Sequence, residues 1–501
     1  MNKGKRSEPK RVGQPRKKEN KEKRNRITPV GKTVIVLMTV LTVVFSVVLA
    51  MARLLPAKFL IPIYAVLLLM LAIIALLVKN HKKKTRFVVG LIFSAVMTLV
   101  LAVGGFTLSR GIQALNAITN GEVEMDYISV YVRADDPAQE MADTLEYTYG
   151  ILKSMDRHVT DQAIEKLNKE LKEEIAVQEL RSIPNLLDAL LDGDADAILF
   201  PEAYFSLLSD LPGYENVASK IRALATLEFK GENKDEGKKI NSEDTFTVFI
   251  SGIDTWGGIG AKSRSDVNIL ATVNTETKQV LLVSTPRDYY VPLSISDGIP
   301  DKLTHAGIYG VDVSMDTIGM IYDIDVDYFF RVNFSGFEEI IDSLGGITVY
   351  SECEFGRDGY YFSVGENHMY GEAALVFARE RYSFQDGDRQ RGRNQMAVIQ
   401  AVINKALSPE LLKSYSSVLE AVEGNFETSV PYNKIASVVR DQLDKGGDWN
   451  IVSYSVNGTG DTQIPYSLSV PAYVMIPDQS TVDTAKELMR QVREGEVITM
   501  P

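Results

Sequence analysis

One cysteine, Cys353, in 501 residues rules out an internal disulfide. Without a partner thiol it reads as a small buried hydrophobe. Histidine is nearly as rare, with four residues, and tryptophan occurs twice. Acid is scarce at one end only: residues 1–110 hold 3 Asp+Glu against 21 Lys+Arg, a net of +18. The whole chain carries −12, so residues 111–501 carry −30. That acidity excludes nucleic acid as a partner, because its affinity comes mainly from cationic contacts to phosphates. No repeat of about 20–50 residues is evident, which excludes a solenoid.

Charge is also missing inside three apolar runs, Val34–Met51, Phe59–Val78 and Phe87–Leu108. As a helix, each is long enough to cross about 30 Å of hydrocarbon. The first is the shortest and needs flanking Thr33 or Ala52. Twelve Lys and Arg lie in residues 1–26, and the Lys79–Arg86 loop is basic, whereas the Ala52–Lys58 link holds only Arg53 and Lys58. The positive-inside rule then puts the N-terminus and the 79–86 loop in the cytoplasm. The expectation is a multi-pass cell-membrane protein with a basic cytoplasmic tail (1–29), three transmembrane helices (30–110) and residues 111–501 extracytoplasmic. A cleaved signal peptide does not fit, since two more runs follow the first. Gly31-Lys32-Thr33 is no nucleotide loop, because Arg26 stands where that motif needs Gly.

About 390 residues beyond the membrane suggest two domains. Residues 111–230 read as a small α/β accessory domain. Strands are expected at Ile128–Val132 and Ala195–Phe200, with helices near 137–155 and 160–173. Asp192, Asp194 and Asp196 lack the Gly and Glu of a calcium loop and read as a solvated turn. A polar linker, 231–241, leads to an α/β domain at 242–425, and 426–501 form a C-terminal extension. In 242–425, Thr245–Ser251, Asp266–Asn274, Gln279–Thr285 and Val326–Val332 read as strands. Phe334–Leu344 is a helix closed by Gly345-Gly346, Gly371–Phe377 starts another, and Asp388 caps a last helix to about Ala406. This alternation implies an α/β sandwich with a central β-sheet.

Five arginines fall between Arg379 and Arg393. Arginine's planar fork suits phosphate oxygens and stays charged. The cluster fits a bound phosphate or pyrophosphate, or else a solvated helix screened by Glu380, Asp386 and Asp388. Asp254, Arg264, Asp266, Arg287 and Asp288 sit at strand ends and converge if those strands are neighbours. Two carboxylates plus phosphate oxygens suit Mg²⁺, with Asp254 and Asp266 as the candidates, though each Asp alone also fits a turn. Arg391, Gln395, Val398 and Val402 share a helix face, so a polar head continues into an apolar stripe. That suits a ligand with a charged head and a greasy tail, or an ordinary core face.

These residues resemble the LytR-CpsA-Psr family of Gram-positive bacteria. The resemblance lies in Ile250-Ser251-Gly252-Ile253-Asp254, Ser263-Arg264-Ser265-Asp266, Ser284-Thr285-Pro286-Arg287-Asp288, Asn333–Phe337, Asp342–Gly346, Ala378–Arg381 and Asp388–Gln395. The three N-terminal spans and the accessory domain resemble its CpsA branch, tied to capsule synthesis. The resemblance implies a transferase that moves a capsular polysaccharide from polyprenyl (undecaprenyl) pyrophosphate to peptidoglycan through a phosphodiester. It also implies that Asp254 and Asp266 hold Mg²⁺. Arg287, Arg379, Arg381, Arg391 and Gln395 would contact the pyrophosphate, and Arg264 would support the metal side. Arg287, Asp288 and Arg264 are the expected catalytic residues, with Asp288 either orienting an arginine or accepting the acceptor's proton. Many relatives carry Arg where this chain has Thr255. A teichoic acid donor is the close variant. A non-catalytic carrier-binding regulator of capsule-synthesis proteins is the alternative from another class.

Overall fold

In the computed structural model, which describes residues 27–79, 84–119, 124–155, 157–214, 216–231, 244–253, 260–408, 424 and 426–498, the apolar runs are helices. They are α1 (Pro29–Met51), α2 (Ala57–Val78) and α3 (Lys84–Thr119). All three contain a stretch long and apolar enough to cross a membrane. A helix satisfies its own backbone groups, as a span in hydrocarbon must. Thr28 starts α1 by accepting the Gly31 N–H at 3.4 Å, with Pro29 in the first helical position. Met38, Ile74, Val78, Met97 and Leu101 form the buried seam, while Val36, Leu37, Val40, Leu68 and Leu99 face outward. Gly90 permits the α2–α3 approach, since a Cβ there would lie 2.7 Å from Val78 Cγ1. Residues 1–26 of the basic tail, 80–83 of the 79–86 loop and 232–241 of the linker lie outside the described residues.

Residues 113–442 and 446–501 form the second compact unit. Its first sheet contains β1 (Met125–Arg133), β2 (Thr148–Leu152), β3 (Ala176–Leu180), β4 (Ala197–Pro201) and β5 (Ile221–Lys230), in the order β3-β2-β4-β1-β5. Alternation puts Val130, Val132 and Leu199 on one face with α4 (Arg157–Leu171), and Tyr131, Ile198 and Phe200 on the other with α5 (Ile183–Asp192). The helix expected over 137–155 is absent. A 3₁₀ turn, Met141–Thr144, and β2 occupy that stretch. Tyr149, Ile151 and Leu152 are buried, and a Cβ on Gly150 would meet Leu186 Cδ1 at 3.0 Å. Burial between two helices therefore overrides the local helical spacing.

The second sheet begins with β6 (Thr245–Ile253), β7 (Ser265–Asn274) and β8 (Gln279–Ser284). The hairpin β9 (Tyr290–Pro292) and β10 (Pro300–Lys302), then α6 (Val311–Tyr322), β11 (Tyr328–Val332) and α7 (Phe334–Ser343), follow. Next come β12 (Ile347–Ser351), β13 (Phe355–Arg357), β14 (Tyr360–Phe362) and β15 (Gly365–Met369), then α8 (Gly371–Arg379) and α9 (Asp388–Ala406). Residues 426–501 supply β16 (Phe426–Thr428), α10 (Tyr432–Lys445), β17 (Asn450–Ser455), β18 (Gly458–Gln463), β19 (Ala472–Pro477) and α11 (Gln479–Arg493). The six-stranded order is β16-β11-β6-β7-β8-β17, so this last segment provides both edges. The expected closure of α7 is present: Gly345 and Gly346 take φ of 76° and 82°, and the Gly346 N–H returns to the Ile341 carbonyl at 3.0 Å.

One face of this sheet is solid. Phe249, Leu270, Leu281 and Val283 interlock with Met315 and Ile318 of α6 and with Val482 and Met489 of α11. The other face meets α9 through Met396, Ile399 and Ile403. The two sheets also share packing, since Ile308, Leu468 and Ala472 join the first sheet's core.

Arg331 of β11 is 2% exposed. Its Nη1 donates to Glu124 Oε1 at 2.6 Å, and its Nε to Glu427 Oε2 at 3.1 Å. Burial disfavours its charge, yet Glu124 and Glu427 hold its pKa above the usual guanidinium value. Arg331→Met would leave both carboxylates without their cation. The expected cost is about 3–5 kcal/mol in denaturant unfolding of the detergent-solubilised chain. A loss below about 1 kcal/mol would show that water compensates the site.

Candidate functional site

Strands β6 and β7 pair regularly as far as Gly252↔Val267, and then the register slips so that Ile253 faces Ser265. Asp266 is the extra residue of this bulge. A bulge leaves its residue out of the ladder and re-aims the side chain. Gly252 allows the close approach, since a Cβ would lie 2.7 Å from Val267 Cγ2. Next to β7, β8 runs out into Thr285-Pro286-Arg287-Asp288. Arg287 Nη1 donates to both Asp266 oxygens at 2.7 Å, and Thr304 Oγ1 donates to Oδ1 at 3.1 Å. Burial pushes the Asp266 carboxyl up, but Arg287, Arg264 and Arg391 outweigh it and hold the pKa below the ordinary value. Burial likewise opposes the Arg287 charge, and Asp266 and Asp288 reverse that.

Arg264, Asp266, Arg287, Arg379, Arg381, Arg391 and Gln395 all line one cavity of about 1080 Å³. Asp254, Thr255 and Trp256 lie outside the described residues. Arg379 stands 4.0 Å from the centroid of the Phe334 ring, and Arg381 Nη2 donates to the Tyr382 hydroxyl at 2.7 Å. Gln395 Nε2 donates to the Ala378 carbonyl at 3.3 Å, tying α9 to the end of α8. The other two arginines of the cluster turn elsewhere. Arg389 Nη2 donates to the Gly458 carbonyl at 2.8 Å, and Arg393 pairs with Asp386 at 3.0 Å and Glu352 at 3.2 Å. Asp288 is buried and does not line the cavity, standing 3.8 Å from Arg287 Nε and 3.6 Å from Lys302 Nζ. Asp388 does not cap α9. Gly387, at φ 51°, holds the cap position, and the Asp388 carboxylate pairs with Arg391 instead. Glu380 engages Arg357 at 3.4 Å rather than the clustered arginines. Cys353 is half-buried rather than part of the core.

Much of the remaining wall is apolar, although Glu338, Arg357, Asp358, Glu372 and Glu380 also line it. The apolar part includes Val248 and Ile250 of β6, Ala271 and Val273 of β7, Phe330 of β11, Phe337 and Ile341 of α7, and Leu375 of α8. Val398, Ile399, Val402 and Ile403 extend the lining along α9. The charged groups gather where β6 ends and α9 begins, and apolar side chains continue back along both elements. The cavity therefore joins a cationic head to a greasy body, as the α9 stripe implied.

Five site neighbours carry no local sequence signal: Ser209, Asp210, Lys302, Thr304 and His305. Asp210, from the first sheet's segment, accepts from Lys302 Nζ at 2.8 Å and lies 3.6 Å from His305 Nε2. Asp301 Oδ1 and Ser467 Oγ lie 2.7 and 2.8 Å from His305 Nδ1. Complete burial pushes the His305 pKa down, but the Asp301 and Asp210 carboxylates overcome it and raise it above 6.5. A raised folded-state pKa contributes stability that is full below pH 6.5 and is lost as pH climbs through the folded value. The melting temperature should therefore fall as pH rises past 6.5, and His305→Gln should flatten that slope. An unchanged slope in the variant would mean that the imidazole is neutral throughout.

Residues 214–491 match the model of the LytR_cpsA_psr family. The polyisoprenyl-teichoic acid--peptidoglycan teichoic acid transferase TagU of Bacillus subtilis is 32% identical over 282 residues, which cover 56% of this chain and 89% of that protein. The Enterococcus faecalis protein of the same name is 32% identical over 269 residues, covering 53% and 86%. A crystal structure of B. subtilis TagU shares 30% identity, covers 52% of this chain and 99% of that one, and superposes with a TM-score of 0.40. The family match takes in more than half of the 501 residues, including every expected site residue from Asp254 to Gln395, and the chain belongs to the LytR_cpsA_psr family.

Proposed function

We propose that this chain is a membrane-anchored transferase. It moves a glycopolymer from polyprenyl (undecaprenyl) pyrophosphate to a peptidoglycan hydroxyl through a phosphodiester. One observation carries this reading: an arginine-lined head opens into an apolar cavity of about 1080 Å³. The head matches a pyrophosphate and the body a polyprenyl tail. The relatives' names, which specify polyisoprenyl-linked teichoic acid and peptidoglycan, support the same chemistry. The apolar helices α1–α3 fit a carrier that lives in the membrane, with residues 111–501 on the peptidoglycan side.

Phosphoryl transfer needs little covalent help from the protein and much charge stabilisation. Arg287, Arg379, Arg381, Arg391 and Gln395 surround the space for the pyrophosphate and stabilise charge moving to the leaving oxygen. Arg264 braces the Asp266 side. Asp288 is buried between Arg287 and Lys302 and away from the cavity lining, which favours orienting Arg287 over accepting the acceptor's proton.

Mg²⁺ belongs to this reading as the cofactor. Asp266 fits one ligand position: a hard oxygen donor, kept ionised by its neighbours and aimed at the rim by the bulge. Among the described residues no group of three metal-ligating side chains occurs. Mg²⁺ is commonly held by one or two carboxylates together with phosphate oxygens and water. Asp266 and Asp254 would hold it, and when bound it neutralises pyrophosphate charge.

The three N-terminal spans and the accessory segment resemble the CpsA branch in their order along the chain and favour a capsular polysaccharide as donor. The relatives' names favour teichoic acid, which is the second reading. Purified full-length chain given each lipid-linked donor with peptidoglycan distinguishes them. Asp266→Ala should abolish transfer and its Mg²⁺ dependence with the fold intact. Wild-type turnover by that variant would remove the metal assignment, and no transfer by the wild type with either donor would leave carrier binding alone.

Arg391→Ala should weaken calorimetric binding of polyprenyl pyrophosphate by about 1.5–3 kcal/mol, the scale of a charge-assisted hydrogen bond. Arg389→Ala should cost clearly less, because its guanidinium is spent on the Gly458 carbonyl. Equal losses would indicate a diffuse basic surface instead of an oriented pocket.

A further inference from the structure

We infer that Asp210 is a positioning residue of the transfer site, supplied by the accessory segment from outside the family-matched residues 214–491. Its task is to hold Lys302 and Arg264 away from Asp288 and Asp266. This rests on the reading given under Proposed function. Asp210 ends the 3₁₀ helix Glu202–Asp210, which packs beside β1 and β4. With Ser209 it lines the same cavity as the arginines. Its Oδ2 lies 2.8 Å from Lys302 Nζ, and its Oδ1 lies 4.0 Å from Arg264 Nη1. Ser209 Oγ accepts from that same Nη1 at 3.1 Å.

The argument is one of charge allocation. Lys302 and Arg264 are 5% and 8% exposed at their side chains, so each needs a carboxylate near it. Lys302 has two within reach, Asp210 at 2.8 Å and Asp288 at 3.6 Å. Asp210 takes the closer contact and leaves Asp288 to Arg287. Arg264 already acts electrostatically on Asp266. Without the Asp210 charge, Lys302 closes on Asp288 and Arg264 is drawn toward Asp266. The two carboxylates that orient Arg287 are then shared with other cations. Arg379, Arg381 and Arg391 keep their places and Arg287 keeps its charge beside the pyrophosphate, so the carrier still binds while the reacting geometry is lost. The accessory sheet is thereby part of the site, not a spacer between membrane and enzyme.

The test compares full-length wild type, Asp210→Asn and Asp210→Glu in detergent. Undecaprenyl pyrophosphate is the binding probe, and transfer of lipid-linked polymer to peptidoglycan is the turnover assay. Asp210→Asn should lower kcat about tenfold while binding stays within about twofold, and Asp210→Glu should restore most of the rate. A structure of Asp210→Asn should show Lys302 Nζ closed on Asp288. Wild-type kcat in Asp210→Asn overturns the inference. So does a joint loss of rate and binding that Asp210→Glu does not restore, which marks a structural staple. If wild type neither binds nor transfers, the proposed function fails and the structural comparison alone decides: unmoved Lys302 and Arg264 reject positioning, and moved ones support it. Should Asp210→Asn not fold, Ser209→Ala removes only the hydroxyl facing Arg264. A reduced kcat at unchanged binding then supports the inference, and an unchanged kcat rejects it.

Discussion

The ion pair between Arg287 and Asp266 sets the terms for everything around it. In a largely buried rim each charge stabilises the other, and Arg287 Nη1 meets both Asp266 oxygens at 2.7 Å. The pair forms only because β7 and β8 are neighbours and because a bulge turns Asp266 out of its ladder. The surrounding charges fall into place in turn. Asp288 braces the far side of Arg287, Lys302 braces Asp288, and Arg391 adds its field to Asp266. A chain of alternating charges thus runs from one sheet into the other, each member made tolerable by the next.

The large sheet divides its two faces between stability and recognition. Against α6 and α11 it builds an interlocked core. On the α9 side, part of the same pleated surface becomes the cavity wall, with Val248 and Ile250 of β6 facing Val398 and Val402 of α9. Because side chains alternate along a strand, one stretch of sequence serves both purposes at once. Phe249 lies in the core while its neighbours Val248 and Ile250 line the cavity.

What is legible in the sequence follows the range of the interactions. The strands at Thr245, Asp266 and Gln279 and the helix at Phe334 show in their local periodicity, and all are present. The divergence of Arg391 from Arg389 follows from 3.6 residues per turn, and their partners differ as it requires. Residues 137–155 mislead because a helical spacing there competes with burial between α4 and α5, which no local window contains. Asp388 misleads because a nearby guanidinium outcompetes the backbone N–H groups for its carboxylate. Asp210 is illegible for the same reason of range: its partners Lys302 and His305 lie more than ninety residues away. A carboxylate at the end of a 3₁₀ turn has no local mark of a site residue.

The buried Arg331 also bears on mechanics. Glu124, the residue just before β1, is held there by three separate contacts. Its carboxylate takes the Arg331 guanidinium and the Val311 N–H, its carbonyl takes the Gly231 N–H, and Arg331 in turn grips Glu427 of β16. Any tension delivered along the chain from the membrane helices reaches this knot before it reaches a single strand of either sheet. The load is spread at once to β11, β16 and the start of α6. A pull on the anchor is therefore resisted first by buried charge where the two sheets join.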